Sequence, residues 1–210
     1  MNAYTRIQAS EVATSARPLA RVGPNAITRM AEALCAIEGD DVCRDVFAAA
    51  DLHRHLAAPP TEMVDEADVS ALHRAAFLHL GPERAARVSR RAGRLTGDYL
   101  LENRIPAPAQ KLLRLLPRAI AARLLLSAVA RHAWTFVGSG RFSYSFAPLR
   151  LKLEGAPICH QLRTDDKVCA YFAATFERLF RAILAPDARV EEIECEAVGD
   201  PACLFRVDWK

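Results

Sequence analysis

The chain has 210 residues, 51% of them hydrophobic, so it is long enough for one domain with a sizeable core and too apolar for global disorder. A formal net charge of +3 is too small to announce a nucleic-acid binder, and no helix-turn-helix pattern accompanies it. No run of about 18 uncharged apolar residues exists and the first 23 residues lack the apolar stretch of a secretory signal, so a cytoplasmic location is expected, with the six cysteines reduced or metal-bound rather than disulfide-bonded.

Residues 1–23 read as a flexible lead and 24–210 as a single domain. In "PNAITRMAEALCAIEG", Ile27, Met30, Leu34 and Ile37 follow helical spacing, and Gly39 stops the helix. "DDVCRDVFAAADLHRHL" predicts a second helix capped by Asp40 or Asp41. "DEADVSALHRAAFLHLG" repeats the pattern through Val69, Leu72, Ala76 and Leu80. A fourth helix, 82–103, starts at Pro82. It places Val88, Ala92, Leu95 and Tyr99 on one side and Arg84, Arg87, Arg91 and Arg94 on the other. That basic face is a candidate for contact with a partner enzyme or an anionic membrane surface. A further helical stretch from about Ala107 to His132 is broken or kinked at Pro117.

The period then shortens to two. Phe142, Tyr144 and Phe146 alternate with polar residues, as do Leu149, Leu151 and Leu153, which predicts two strands around a turn at Ala147-Pro148. "DDKVCAYFAATFERLFRAIL" returns to helix, and "ARVEEIECEA" with "ACLFRVDW" forms a hairpin around Gly199-Asp200-Pro201. Helices first and strands later predict an α+β domain: a helical N-terminal two thirds packed on a small antiparallel sheet.

Cys35 and Cys43 fall on apolar helical faces and read as core. Cys195 and Cys203 face each other across the last hairpin in symmetric pairing, and Cys169 opens the helix before it, within reach of the hairpin. Three thiols with nearby carboxylates suit a closed, zinc-like site, although the spacing alone equally suits cysteine as a small buried apolar residue.

The C-terminal stretch narrows this choice. "APICHQLRTDDKVCAYFAATFERLFRAILAPDARVEEIECEAVGDPACLFRV" resembles the 4-vinyl reductase domain family, whose pattern is a "P-hydrophobic-C" stretch, a "VC" helix, and a final "E-x-C-x-A-x-G-D-x-x-C-x-F". Val168-Cys169, Glu194, Cys195, Ala197, Gly199, Asp200, Cys203 and Phe205 match it, placing the motif region at about 145–210. The resemblance implies the ligand-binding fold of vesicle-tethering subunits and phenol sensors, and a homodimer. It also implies a structural zinc held by Cys169, Glu192, Cys195 and Cys203. Strict strand alternation points Glu192 away from Cys195, so this set needs a bulge or a substitute ligand such as Glu194 or His160. In function the resemblance implies bacteriochlorophyll biosynthesis: binding a divinyl magnesium tetrapyrrole, a protochlorophyllide or chlorophyllide, for reduction of its 4-vinyl (8-vinyl) group.

Such a reduction normally draws on a hydride carrier. "FVGSGRFSYSF" has Gly138 and Gly140 but Ser143 where a third glycine belongs, and a strand follows it, so it is no dinucleotide fingerprint. The expectation is therefore a pigment carrier or presenting subunit, working with other enzymes of the pathway. The alternatives are a self-contained reductase with an external electron donor, and a small-molecule sensor. Pocket candidates are Trp134, Phe142, Tyr144, Phe146, His160 and Phe172, with His132 or His160 as a magnesium ligand.

Overall fold

The computed structural model describes residues 20–209. Residues 1–19 of the expected lead lie outside that range. Just after them, β1 (Arg21–Val22) pairs antiparallel with β2 (Val64–Asp65).

α1 (Asn25–Glu38) buries Ile27, Met30 and Leu34, while Ile37, expected on the same face, is exposed. Gly39, at φ +89°, reverses the chain into α2 (Asp40–Ala49) in a conformation that glycine adopts without penalty. The joint is so tight that Gly39 itself takes the N-cap position. Asp40 and Asp41 make no cap hydrogen bond and instead place negative charge in the first turn, where the helix dipole favours it. The same reversal sets the end of α1 beside the start of α2, and Cys35 and Cys43 are joined there as a disulfide with Cα atoms 5.2 Å apart. The expectation of six reduced or metal-bound cysteines fails for this pair because the two helix ends converge.

A short α3 (Arg54–Ala57) leads to α4 (Glu66–Leu80). The Asp65 carboxylate caps α4 by accepting the Ala67 N–H at 2.8 Å. After Gly81, α5 (Pro82–Asn103) buries Ala85, Val88, Ala92, Gly93, Thr96, Gly97 and Leu101 and leaves Arg84, Arg87, Arg91 and Arg94 exposed. α6 (Ala107–Leu115) and α7 (Arg118–Arg131) are separate helices, parted at Leu116-Pro117 as the proline predicts. A short α8 (Trp134–Val137) follows.

β3 (Arg141–Phe146) and β4 (Leu149–Glu154) pair through the Ala147-Pro148 turn. α9 (Ala170–Ile183) precedes β5 (Arg189–Glu194) and β6 (Cys203–Asp208). The sheet is antiparallel in the order β3-β4-β6-β5. α9 lies between this sheet and α5. Its Phe176 ring meets Phe142 (5.8 Å) and Phe205 (6.2 Å) from the sheet. On its other side the helices approach at two glycines. A Cβ at Gly93 would fall 2.2 Å from the Tyr171 carbonyl oxygen, and one at Gly97 would fall 2.7 Å from the Arg178 Cβ. The domain is therefore α+β, with helices stacked on one small sheet. Among the described residues no helix is long and apolar enough to cross a membrane.

Candidate metal centre

Four cysteines converge where the sheet meets the start of α9. Cys203 opens β6, Cys195 lies just beyond β5, Cys169 holds the N-cap position of α9, and Cys159 closes a 3-10 turn at Pro157–Cys159. All four are buried. The Cys159 sulfur lies 3.3, 3.8 and 3.4 Å from those of Cys169, Cys195 and Cys203, Cys169 to Cys203 is 3.4 Å, and all four sulfurs lie within 4.8 Å of one another. Four sulfurs at the usual zinc–thiolate bond length around a tetrahedron stand about 3.8 Å apart. The cluster could thus hold a metal ion with four sulfur ligands.

Carboxylates brace the backbone around three of these sulfurs. Glu196 accepts the N–H groups of Gly155 (2.6 Å) and Ala156 (2.9 Å), which lead into the turn bearing Cys159. Glu192 accepts the N–H of Cys169 at 2.9 Å, and Asp200 accepts that of Cys195 at 2.8 Å. The outer partners thereby set where each ligand backbone sits.

The register explains how Glu192 comes near. Glu192 pairs with Phe205 and Glu194 with Leu204, so β5 spends one extra residue against β6 in a bulge. The bulge breaks strict alternation and brings Glu192 and Cys195 to the same side. Cys195 consequently leaves the strand, and Ala197, expected on its strand face, sits in a 3-10 turn at Glu196–Val198. Burial, and then the neighbouring Cys195, push the Glu192 carboxyl up to about 10, so it is protonated near neutrality when no ion is bound. Its Oε1 is buried without a partner. Hydrogen bonds from Cys159, Cys169 and Cys203 pull the Cys195 thiol far down. The reciprocal bonds from Cys159, Cys195 and Cys203, with burial, push Cys169 up. A bound dication would stabilise every thiolate of the cluster.

Of the expected ligands, Cys169, Cys195 and Cys203 come together; Glu192 stands beside them, bonded to the Cys169 amide. Cys159 was not among the expected ligands, although it is the cysteine of the "P-hydrophobic-C" stretch. Glu194 pairs with Leu204 in the sheet, and the His160 Nε2 lies 3.1 Å from the Gly155 carbonyl oxygen.

The aromatic candidates divide by depth. Phe142 and Phe172 are buried around Phe136, at 5.6 and 6.2 Å between ring centroids. Tyr144 is half-buried and Phe146 is exposed, 5.4 Å apart, with the Arg123 guanidinium 5.2 Å over the Phe146 ring. Trp134 is exposed on α8, next to the exposed His132. An open cleft of about 560 Å³ is lined by residues including Arg21, Arg54, His55, Met63 and Asp68, and a small cavity of about 20 Å³ lies between α4, α5 and the loop before α9, bordered by His73, Ser89, Ile158 and Val168. It has room for roughly one water molecule. Burial lowers the His73 imidazole to about 4 and keeps it neutral, stacked edge-on against Tyr171.

The glycine-rich turn after α8 is filled from within. Glu66 accepts the Ser139 N–H (2.8 Å) and hydroxyl (2.7 Å), and a Cβ at Gly138 would fall 2.1 Å from the Glu66 Oε2. Gly138 admits this carboxylate, which takes the place a phosphate would need.

The family model for the 4-vinyl reductase domain matches residues 149–208, the stretch that holds all four clustered cysteines. The chain is 42% identical over 188 residues to the "Bacteriochlorophyll synthase 23 kDa chain" of Cereibacter sphaeroides, covering 89% of this chain and 90% of that one. It is 40% identical over 189 residues to the protein of the same name from Rhodobacter capsulatus, covering 88% and 85%. Similar solved structures are H-NOX proteins. One, described as "Probing the function of heme distortion in the H-NOX family", has a TM-score of 0.57 at 14% identity, covering 90% of this chain and 95% of that chain. Another, from S. oneidensis, has a TM-score of 0.52 at 8% identity, covering 90% and 99%. At these identities the likeness is one of fold.

Proposed function

The chain belongs to the 4-vinyl reductase domain family of the bacteriochlorophyll synthase 23 kDa chain, and on that premise we propose that it binds a divinyl magnesium tetrapyrrole and presents it for reduction of the 4-vinyl (8-vinyl) group. A role in bacteriochlorophyll biosynthesis, in association with enzymes of that pathway, is the part its relatives support directly. The observation that carries the presenting role is the glycine-rich turn. Glu66 fills the glycine-rich turn, which fits a presenting role in which a partner brings the hydride carrier. Relatives in fold bind a haem, another flat tetrapyrrole, according to their description.

The small cavity beside His73 is far too small for such a ring. Tyr144 and Phe146, their rings edge-on to each other, offer a partly exposed apolar patch, with the Arg123 guanidinium beside it to pair with a propionate and His132 and Trp134 nearby in sequence. Phe142 backs Tyr144 from the core, 6.2 Å away between ring centroids. The four thiols would hold zinc, which supplies charge and tetrahedral closure without redox chemistry. The chain's own residues then hold the end of the sheet and the start of α9 in register.

Absorbance titration with divinyl protochlorophyllide tests the reading, alone and with NADPH or a reduced ferredoxin. The expected result is a shifted pigment band that stays unreduced with every donor, and about tenfold weaker binding by Tyr144→Ala/Phe146→Ala. Conversion to the monovinyl product by the isolated protein would instead establish a self-contained reductase.

A further inference from the structure

α6 and the first turn of α7 give little to the core. No residue from 111 to 120 is buried. Leu112, Leu115, Ile120 and Leu124 are 58, 84, 48 and 50% exposed, four of the nine large apolar side chains left exposed among the described residues. Leu113 and Leu116 lean on the core, and polar bonds hold the rest of α6. The Gln110 Nε2 donates to the carbonyls of Leu101 (2.6 Å) and Ile105 (2.8 Å), and the Arg114 Nε donates to that of Ala182 (2.9 Å). The charge on this hairpin has one sign. Lys111, Arg114, Arg118, Arg123 and Arg131 lie on the two helices, and no Asp or Glu occurs between Glu102 and Glu154.

Exposed leucines grouped on one element call for a covering surface. The charge decides which. A two-fold contact with a second copy would set this cationic hairpin against a second one of the same sign. A bilayer rich in anionic headgroups satisfies both features, taking the leucines into the upper acyl layer and the cations at the phosphate level. The basic face of α5, where a membrane contact was expected from sequence, lacks the apolar half: Arg87, Arg91 and Arg94 are exposed beside a buried face, and Arg84 pairs with Glu38.

We propose that the α6–α7 hairpin docks this protein on an anionic membrane surface, with Leu112, Leu115, Ile120 and Leu124 as the inserted side chains. The proposal stands independently of the pigment reading and of the metal centre. Its test is flotation of the purified full chain with vesicles of phosphatidylglycerol and phosphatidylcholine in about a one-to-three ratio, and with phosphatidylcholine alone. The chain should float with the anionic vesicles only and be released as salt rises. Leu112→Glu/Leu115→Glu should weaken partitioning at least about tenfold with little change in Tm, because these are the two most exposed of the four side chains. Lys111→Gln should weaken it about fivefold. Absence of flotation with anionic vesicles, or equal flotation of the double variant, overturns the proposal. So does a concentration-dependent dimer abolished by the double variant, which would assign the face to a second copy.

Discussion

Cys159 and Glu192 make opposite claims on the metal centre, and variants separate them. Cys159→Ser and Cys203→Ser each remove one of four mutually close sulfurs, so each should release the metal and lower Tm by about 5–10 °C. Full metal content and an unchanged Tm in either variant would remove the cluster as a metal site. Glu192→Gln should keep the metal, because the amide oxygen still accepts the Cys169 N–H; loss of metal there would place the carboxylate among the ligands. His73 gives a pH signature elsewhere. Burial lowers its folded pKa from 6.5 to about 4, so the unfolded chain binds the extra proton between those values. The stability His73 contributes is complete above pH 6.5 and is lost as pH falls towards 4, amounting to about 3 kcal/mol. Urea unfolding across that window should show the loss in the native protein and a much flatter profile in His73→Leu. Three of the four sulfurs were legible from sequence because a helix start and two strands carry periodic signals. Cys159 sits in a single 3-10 turn with no period, and only the family pattern marked it.

At the scale of elements, the α5–α9 crossing rests on absent side chains. Gly93→Ala drives a methyl to within 2.2 Å of a backbone oxygen that cannot rotate away. It should cost about 1–3 kcal/mol, read as a lower denaturation midpoint with an unchanged slope. A neutral Gly93→Ala would mean that the two helices lie farther apart. Neither glycine was singled out from sequence, since a helical glycine by itself only weakens a helix prediction, and its purpose lies in a helix about 80 residues on. The Pro117 break, the Gly39 stop and the change of period at Arg141 were legible, because each is a local backbone property. The β5 bulge was legible only as a requirement: Glu192 and Cys195 could share a side only if alternation failed, and the register shows that it does.

For the whole molecule, helices before strands was enough to read an α+β domain, because hydrophobic period reports which elements form. It does not report which distant residues meet. Glu66 and Ser139 are 73 positions apart, and nothing local to either predicts their bond. The thiol cluster is likewise a junction of distant parts, where the loop before α9, α9 itself, β5 and β6 all meet at four sulfurs. Removing the metal with a chelator should therefore act regionally. Hydrogen exchange is expected to rise first between Gly155 and Cys169 and in the Cys195–Cys203 turn, leaving α1, α4 and α5 protected. Uniform loss of protection would show that the centre supports the whole core.

The spacing of the four sulfurs has a chemical consequence once an ion leaves. Each Cys159 contact is within 3.8 Å, so a small shift brings two sulfurs to bonding distance. In air, dioxygen then takes two electrons and two protons from each thiol pair, and four cysteines allow three ways of pairing. Every such pairing consumes the thiolates that a returning ion needs. Demetallation without a reductant is thus a one-way step, and the history of oxygen exposure decides whether an empty protein can be refilled.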